Sequence, residues 1–164
     1  VVSSTMLRAR HTAEIINEQA KKPMFETDLI GELRRPARFI GVREDDPELQ
    51  KVSKEAYEGA DDLQKSSGER QAEGESFHDV IRRGREFLDH FLPSLDFERV
   101  LVVSHGTFIR LLTGIMLFGD SFTREESQNL RRFLQTRNTG ITWCEKDGQG
   151  LWRLYTWMDH AHLG

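Results

Sequence analysis

The run Val100-Leu101-Val102-Val103-Ser104-His105-Gly106-Thr107-Phe108-Ile109-Arg110 changes character twice within a few residues. Its first four residues are apolar and largely β-branched, the composition of a strand buried on both faces, as in a parallel sheet covered by helices. Ser104 to Thr107 interrupt it, and Phe108 to Phe118 resume as a mainly apolar helix. The reading is therefore strand, turn, helix. In such sheets ligands gather at the carboxyl ends of the strands, where a helix N-terminus offers free amide donors to an anion. Gly106 allows close backbone approach there and Thr107 adds a hydroxyl. His105 faces such an anion, or else serves as a structural histidine.

The first residues repeat the geometry. Val1-Val2 reads as a strand stub. Met6, Ala9, Ala13, Ile16 and Ala20 then recur at steps of three and four, the stripe of an amphipathic helix. Ser4 or Thr5 can cap it, and Lys21-Lys22-Pro23 ends it. Its first turns carry Arg8 and Arg10. A guanidinium suits phosphate because its planar fork donates two parallel hydrogen bonds. Either arginine can point into a site while the other lies on the solvent face.

Between these segments, Met24 to Leu33 includes a short extended piece. Residues 47–59 read as a helix and 65–74 as an exposed loop, so 44–74 is a surface excursion or a lid. Ser76 caps a helix whose apolar face runs Phe77, Val80, Ile81, Gly84, Phe87, Leu88, Phe91 and ends at Pro93. Arg124 to Leu134 is a further helix. Ile141 to Cys144 and Leu151 to Tyr155 flank Asp147-Gly148, a hairpin signal. The fold class is α/β, with a mainly parallel sheet and an antiparallel edge. No repeat or second domain is visible, so residues 1–164 form a single domain.

Composition narrows the function. The 164 residues carry 23 basic and 27 acidic side chains, a net charge of −4, which lacks the cationic excess of a nucleic-acid or membrane-surface binder. No apolar run approaches the roughly 20 residues of a membrane helix. The single cysteine, Cys144, forms no intrachain disulfide and fits a reducing cytoplasm; it reads as inert packing. Asp159-His160-Ala161-His162 has too few partners for a metal site. Neither a metal nor a cofactor is expected.

Ser3-Ser4-Thr5-Met6-Leu7-Arg8-Ala9-Arg10-His11-Thr12-Ala13-Glu14-Ile15-Ile16 resembles the second sequence block of the histidine phosphatases, the phosphoglycerate mutase-like superfamily. Val102-Val103-Ser104-His105-Gly106 resembles the third block. Gly74-Glu75-Ser76 before a helix and Asn138-Thr139-Gly140-Ile141-Thr142 are also similar to the family pattern, in the same order. The resemblance implies a three-layer α/β sandwich and a phosphohistidine mechanism without metal. One histidine attacks phosphorus, a second histidine and two arginines hold the oxygens, and a carboxylic acid protonates the leaving oxygen. By position, Arg8 matches the second-block arginine and His105 the second histidine. Glu32, in Ile30-Gly31-Glu32-Leu33-Arg34, matches the usual acid, or is a solvated loop carboxylate. His105, taken as protonated, and Arg8 neutralise the transferring group, with Gly106 and Thr107 beside them as phosphate binders.

The family's first block, a strand ending in Arg-His-Gly, has no counterpart in residues 1–164. The expectation is that a strand-helix unit on the order of 30 residues precedes Val1, pairs beside Val1-Val2 and carries the nucleophile. The resulting reading is a phosphatase of a small phosphorylated molecule, favoured over a mutase. Its competitor is a catalytically inactive chain that binds a phosphorylated ligand or a protein partner. Arg34, Arg35 and Arg38 either meet a second anionic group or are solvated.

Overall fold

Three short parallel strands form the floor of the site: β1, Val2–Ser4; β2, Phe25–Thr27; and β3, Val102–Val103, in the order β2-β1-β3. The computed structural model describes residues 1–43, 45–51 and 74–164. Val2 stands opposite Phe25 on one side and Val102 on the other. Both edges of β1 are thus taken. The sequence reading places an additional strand beside Val1-Val2, whereas the positions left open among the described residues are the outer edges of β2 and of β3. Leu101, leading into β3, is exposed, and β3 itself is only half-buried.

Side-chain alternation along β1 separates the layers. Val2 joins a core cluster with Phe77, Val80, Phe87, Phe108, Leu111, Ile115 and Phe122. Ser3 points the other way and is fully buried on the face covered by α1, Leu7–Ala20. Two more helices supply the main core, α2 (Phe77–Glu86) and α3 (Gly106–Phe118), which pack on each other. Helices therefore cover both faces of the sheet, the α/β arrangement expected. In α1 only Ala9 and Ala13 of the anticipated stripe are buried, because small side chains let the helix lie close to the strands. Met6 occupies the cap position, with the Ser4 hydroxyl accepting its N–H at 3.2 Å, while Thr5 donates to Asp28.

The second helix ends one residue past Pro93, at Ser94, close to where the proline was expected to stop it. The helix continues from α2 through one wide π turn, Phe87–Phe91, into Leu92–Ser94. The wide turn carries the chain past a residue that has no N–H to donate. Helix α4, Arg124–Phe133, begins with a Thr123–Glu126 capping box.

The hairpin forms as anticipated from β4, Ile141–Lys146, and β5, Trp152–Asp159. It is a separate two-stranded sheet rather than the antiparallel edge of the parallel one. Asp147 closes its turn by accepting the N–H groups of Gln149 and Leu151 and pairing with Arg153. Those contacts, led by the Leu151 N–H, hold its carboxyl below the usual range. Trp152 packs against the core and Trp157 donates to the Gln135 carbonyl, whereas Tyr155 is exposed. The helix expected over 47–59 is described only at 47–51, and most of the loop expected at 65–74 lies outside the described residues.

Candidate active site

The carboxyl ends of β1 and β3 deliver Ser4 and His105 to the same point, 101 residues apart in sequence. His105 is buried, the only one of the six histidines that is. Its Nε2 lies 3.0 Å from the Ser4 hydroxyl, and its Nδ1 accepts the Arg8 Nε–H at 3.1 Å. A guanidinium only donates, so Nδ1 is unprotonated and the ring proton sits on Nε2. Burial, and then the charge of Arg8, lower the His105 pKa below its ordinary 6.5. The ring is therefore neutral at neutral pH. The protonated ring expected from the sequence belongs to the state with phosphate bound; without an anion, the buried position and the adjacent cation favour the neutral form.

Arg8, not Arg10, turns toward the site. Arg10 instead pairs along the helix with Glu14 at 3.8 Å. The guanidinium of Arg8 is exposed at the mouth of the cleft, with Nη2 also 3.7 Å from the Met6 sulfur. It is thus tied to His105 at one nitrogen and accessible at the others.

Glu32 reaches the N-terminus of α3. Its carboxylate accepts the N–H groups of Thr107 at 3.3 Å and Phe108 at 3.2 Å, together with that of Leu33 at 3.0 Å. The anion at this helix end is consequently the protein's own, held by amides and by the positive pole of the helix. The Thr107 amide, a candidate phosphate donor, is engaged by Glu32. A Cβ on Gly106 would lie 2.8 Å from the Thr136 hydroxyl, so the close approach that Gly106 permits is to Thr136. Arg110 holds that threonine in turn, through Thr136 Oγ1 and the Leu134 carbonyl. Arg8, His105, Glu32, Gly106 and Thr107 therefore cluster in one place. They line one wall of an open cleft of about 2850 Å³ that continues past β3 to β4.

Other sequence candidates fall elsewhere. Arg34 and Arg35 line the same cleft but are exposed, and Arg38 stacks on Phe39 with its guanidinium carbon 5.0 Å from the ring centre. His160 lies within hydrogen-bonding distance of the Met158 and Asn138 carbonyls and pins the hairpin end. Among the described residues, no group of three or more His, Cys, Asp or Glu is placed to hold a metal ion. Cys144 is half-buried in β4 and burial pushes its thiol pKa up. Among the described residues, no helix is long and apolar enough to cross a membrane.

Sequence reasoning treated Ser4 only as a helix cap and gave Arg83 no role. Arg83 lies at the border of the apolar face of α2, and a charge in that position was the available signal. Ser4 had no comparable mark.

The sequence model of the histidine phosphatase superfamily, branch 1, matches residues 1–160. The chain belongs to the histidine phosphatase superfamily. Solved structures that superimpose on it include Bacillus stearothermophilus YhfR, with TM-score 0.70 and 23% identity over 99% of this chain and 75% of that one. The mycobacterial glucosyl-3-phosphoglycerate phosphatase in complex with inorganic phosphate has TM-score 0.70 and 18% identity, covering 100% and 78%. The alpha-ribazole phosphatase of Shigella flexneri has TM-score 0.67 and 16% identity, covering 96% and 72%. At these identities the histidine phosphatase fold is what they share with this chain. No curated protein matches it in sequence.

Proposed function

We propose that this histidine phosphatase chain contributes the phosphate-holding wall and the proton donor of a phosphomonoesterase that works through a phosphohistidine. The observation that carries the reading is the convergence of Arg8, His105 and Glu32 at the carboxyl ends of β1 and β3. The nucleophilic histidine is supplied by a strand outside residues 1–164, seated on the outer edge of β3. That edge is unpaired among the described residues and opens on the cleft, whose far wall is β4.

In the first step the nucleophilic imidazole forms a P–N bond as the ester P–O bond breaks. Glu32, which takes up a proton as the phosphate dianion arrives beside it, gives that proton to the departing oxygen. Arg8 neutralises the equatorial oxygens, and this charge stabilisation is the main contribution a protein makes to phosphoryl transfer. His105 enters neutral. The arriving dianion favours its cationic form, so the ring takes up a proton on binding and becomes a second positive partner. In the second step water attacks phosphorus, Glu32 accepts its proton, the P–N bond breaks and inorganic phosphate leaves. The substrate is a small phosphorylated molecule, the class to which the phosphatases of similar fold also belong by name.

The direct test is hydrolysis of para-nitrophenyl phosphate by the full-length protein and its His105→Ala and Arg8→Ala variants. The expected loss in kcat/KM is at least tenfold for each, about 1.4 kcal/mol of transition-state stabilisation. Losses smaller than that would contradict the roles given to these residues. Absence of hydrolysis by the parent protein would favour a phosphate-binding chain without turnover.

A further inference from the structure

Outside the cluster that faces the cleft, Arg83 on α2 is an elaborately bonded side chain among the described residues. Its Nε and Nη2 donate to the two oxygens of Glu75 at 2.8 and 2.9 Å. Nη1 donates to the carbonyls of Leu29 and Gly31, both at 2.8 Å, and Nη2 reaches the Glu32 carbonyl at 3.4 Å. All five donors of the guanidinium are thereby used. The ring of Phe108 lies under the guanidinium, 4.4 Å from its carbon to the ring centre. Both Arg83 and Glu75 have side chains only 11% exposed.

Glu75 closes the same loop from the other side. It accepts the Arg34 N–H at 2.9 Å through its carboxylate and gives its own N–H to the Arg34 carbonyl at 2.9 Å. Gly74 makes this approach feasible. Its φ is +90°, and a Cβ there would fall 2.8 Å from the Arg34 carbonyl oxygen. The segment from Leu29 to Arg34 is therefore wrapped around one ion pair, and Glu32 is its midpoint. Phe108 ties the two systems together: its ring stacks on Arg83 and its N–H bonds the Glu32 carboxylate.

We infer that Arg83, oriented by Glu75, is a positioning residue that aims the Glu32 carboxyl at the leaving oxygen. The inference rests on the phosphatase reading above. A lysine cannot substitute, because one ammonium with three donors has neither the planar fork nor the stacking face. General acid help matters little for a leaving group that departs readily as an anion and much for an alkoxide. Misplacing Glu32 should therefore slow alkyl esters selectively, which a general loosening of the fold would not do.

The experiment compares para-nitrophenyl phosphate with phenethyl phosphate in the full-length protein and in Arg83→Lys and Glu75→Gln. Folding of each variant is checked by its thermal unfolding. The expected result is a loss in kcat on phenethyl phosphate at least tenfold larger than the loss on para-nitrophenyl phosphate, in both variants. Glu32→Gln should show the same selectivity, and adding Arg83→Lys to it should change that selectivity little. Losses of similar size on the two esters, large or small, would overturn the positioning role while leaving the phosphatase reading intact. Failure of the parent protein to hydrolyse either ester would overturn both.

Discussion

His105 sits between two partners that fix its tautomer, and its lowered pKa gives two outcomes of opposite sign. The folded protein holds this proton less tightly than the unfolded chain does. Its contribution to stability is therefore complete above about 6.5 and is lost as pH falls below that toward the lower value of the folded state. Binding of a dianion runs the other way, because the protonated ring attracts it. Sulfate, whose charge is constant over this range, should bind the full-length protein more tightly as pH falls from 7 to 5. In His105→Asn that dependence should flatten, as isothermal titration would show. An unchanged slope would remove His105 from the anion site. At this scale the sequence identified Arg8, Glu32 and His105 as candidates. It could not show that Arg8 bonds the histidine or that Glu32 occupies the amides of α3, because both contacts join segments more than 70 residues apart.

Elements show where local chemistry suffices and where it does not. Ser76 caps α2 as its position implied, with the Asp79 carboxylate completing the box. Ser76→Ala should cost about 1 kcal/mol and lower the melting temperature by about 2–4 °C. Calorimetry of the full-length protein checks this, and no change would mean the box is not what starts the helix. The positions of α3, α4 and the hairpin were also legible from turns and periodicity, although β4 and β5 run on to Lys146 and Asp159, past the ends expected at Cys144 and Tyr155. Pro93 marked the end of this helix to within one residue, but the π turn upstream of it has no sequence mark. The run at Val100 promised a longer strand than the two paired residues of β3, whose outer edge has no strand beside it among the described residues.

For the whole molecule, that open edge is the decisive feature. Val2 donates to the Leu101 carbonyl, so Leu101 and Val103 turn their backbone groups toward β1, and the intervening Val102 turns its own outward. With a strand seated there, the Val102 amide should exchange slowly with solvent in the full-length protein, and rapid exchange would leave the edge unoccupied. Membership of the histidine phosphatases was legible in the order of the motifs, whereas the place of the additional strand was not. Adjacency in sequence pointed to Val1, whereas the register closes both edges of β1, and the place proposed for the strand is the far side of β3, where the cleft opens. The claim that Arg8, His105 and Glu32 serve a phosphohistidine supplied from that position is tested most directly by trapping the intermediate. Full-length protein quenched in alkali during turnover of para-nitrophenyl phosphate should carry a base-stable, acid-labile phosphoryl group, mapped by mass spectrometry to a histidine outside residues 1–164. A phosphoryl group on any residue within 1–164, or turnover with no trapped phosphohistidine, would contradict it.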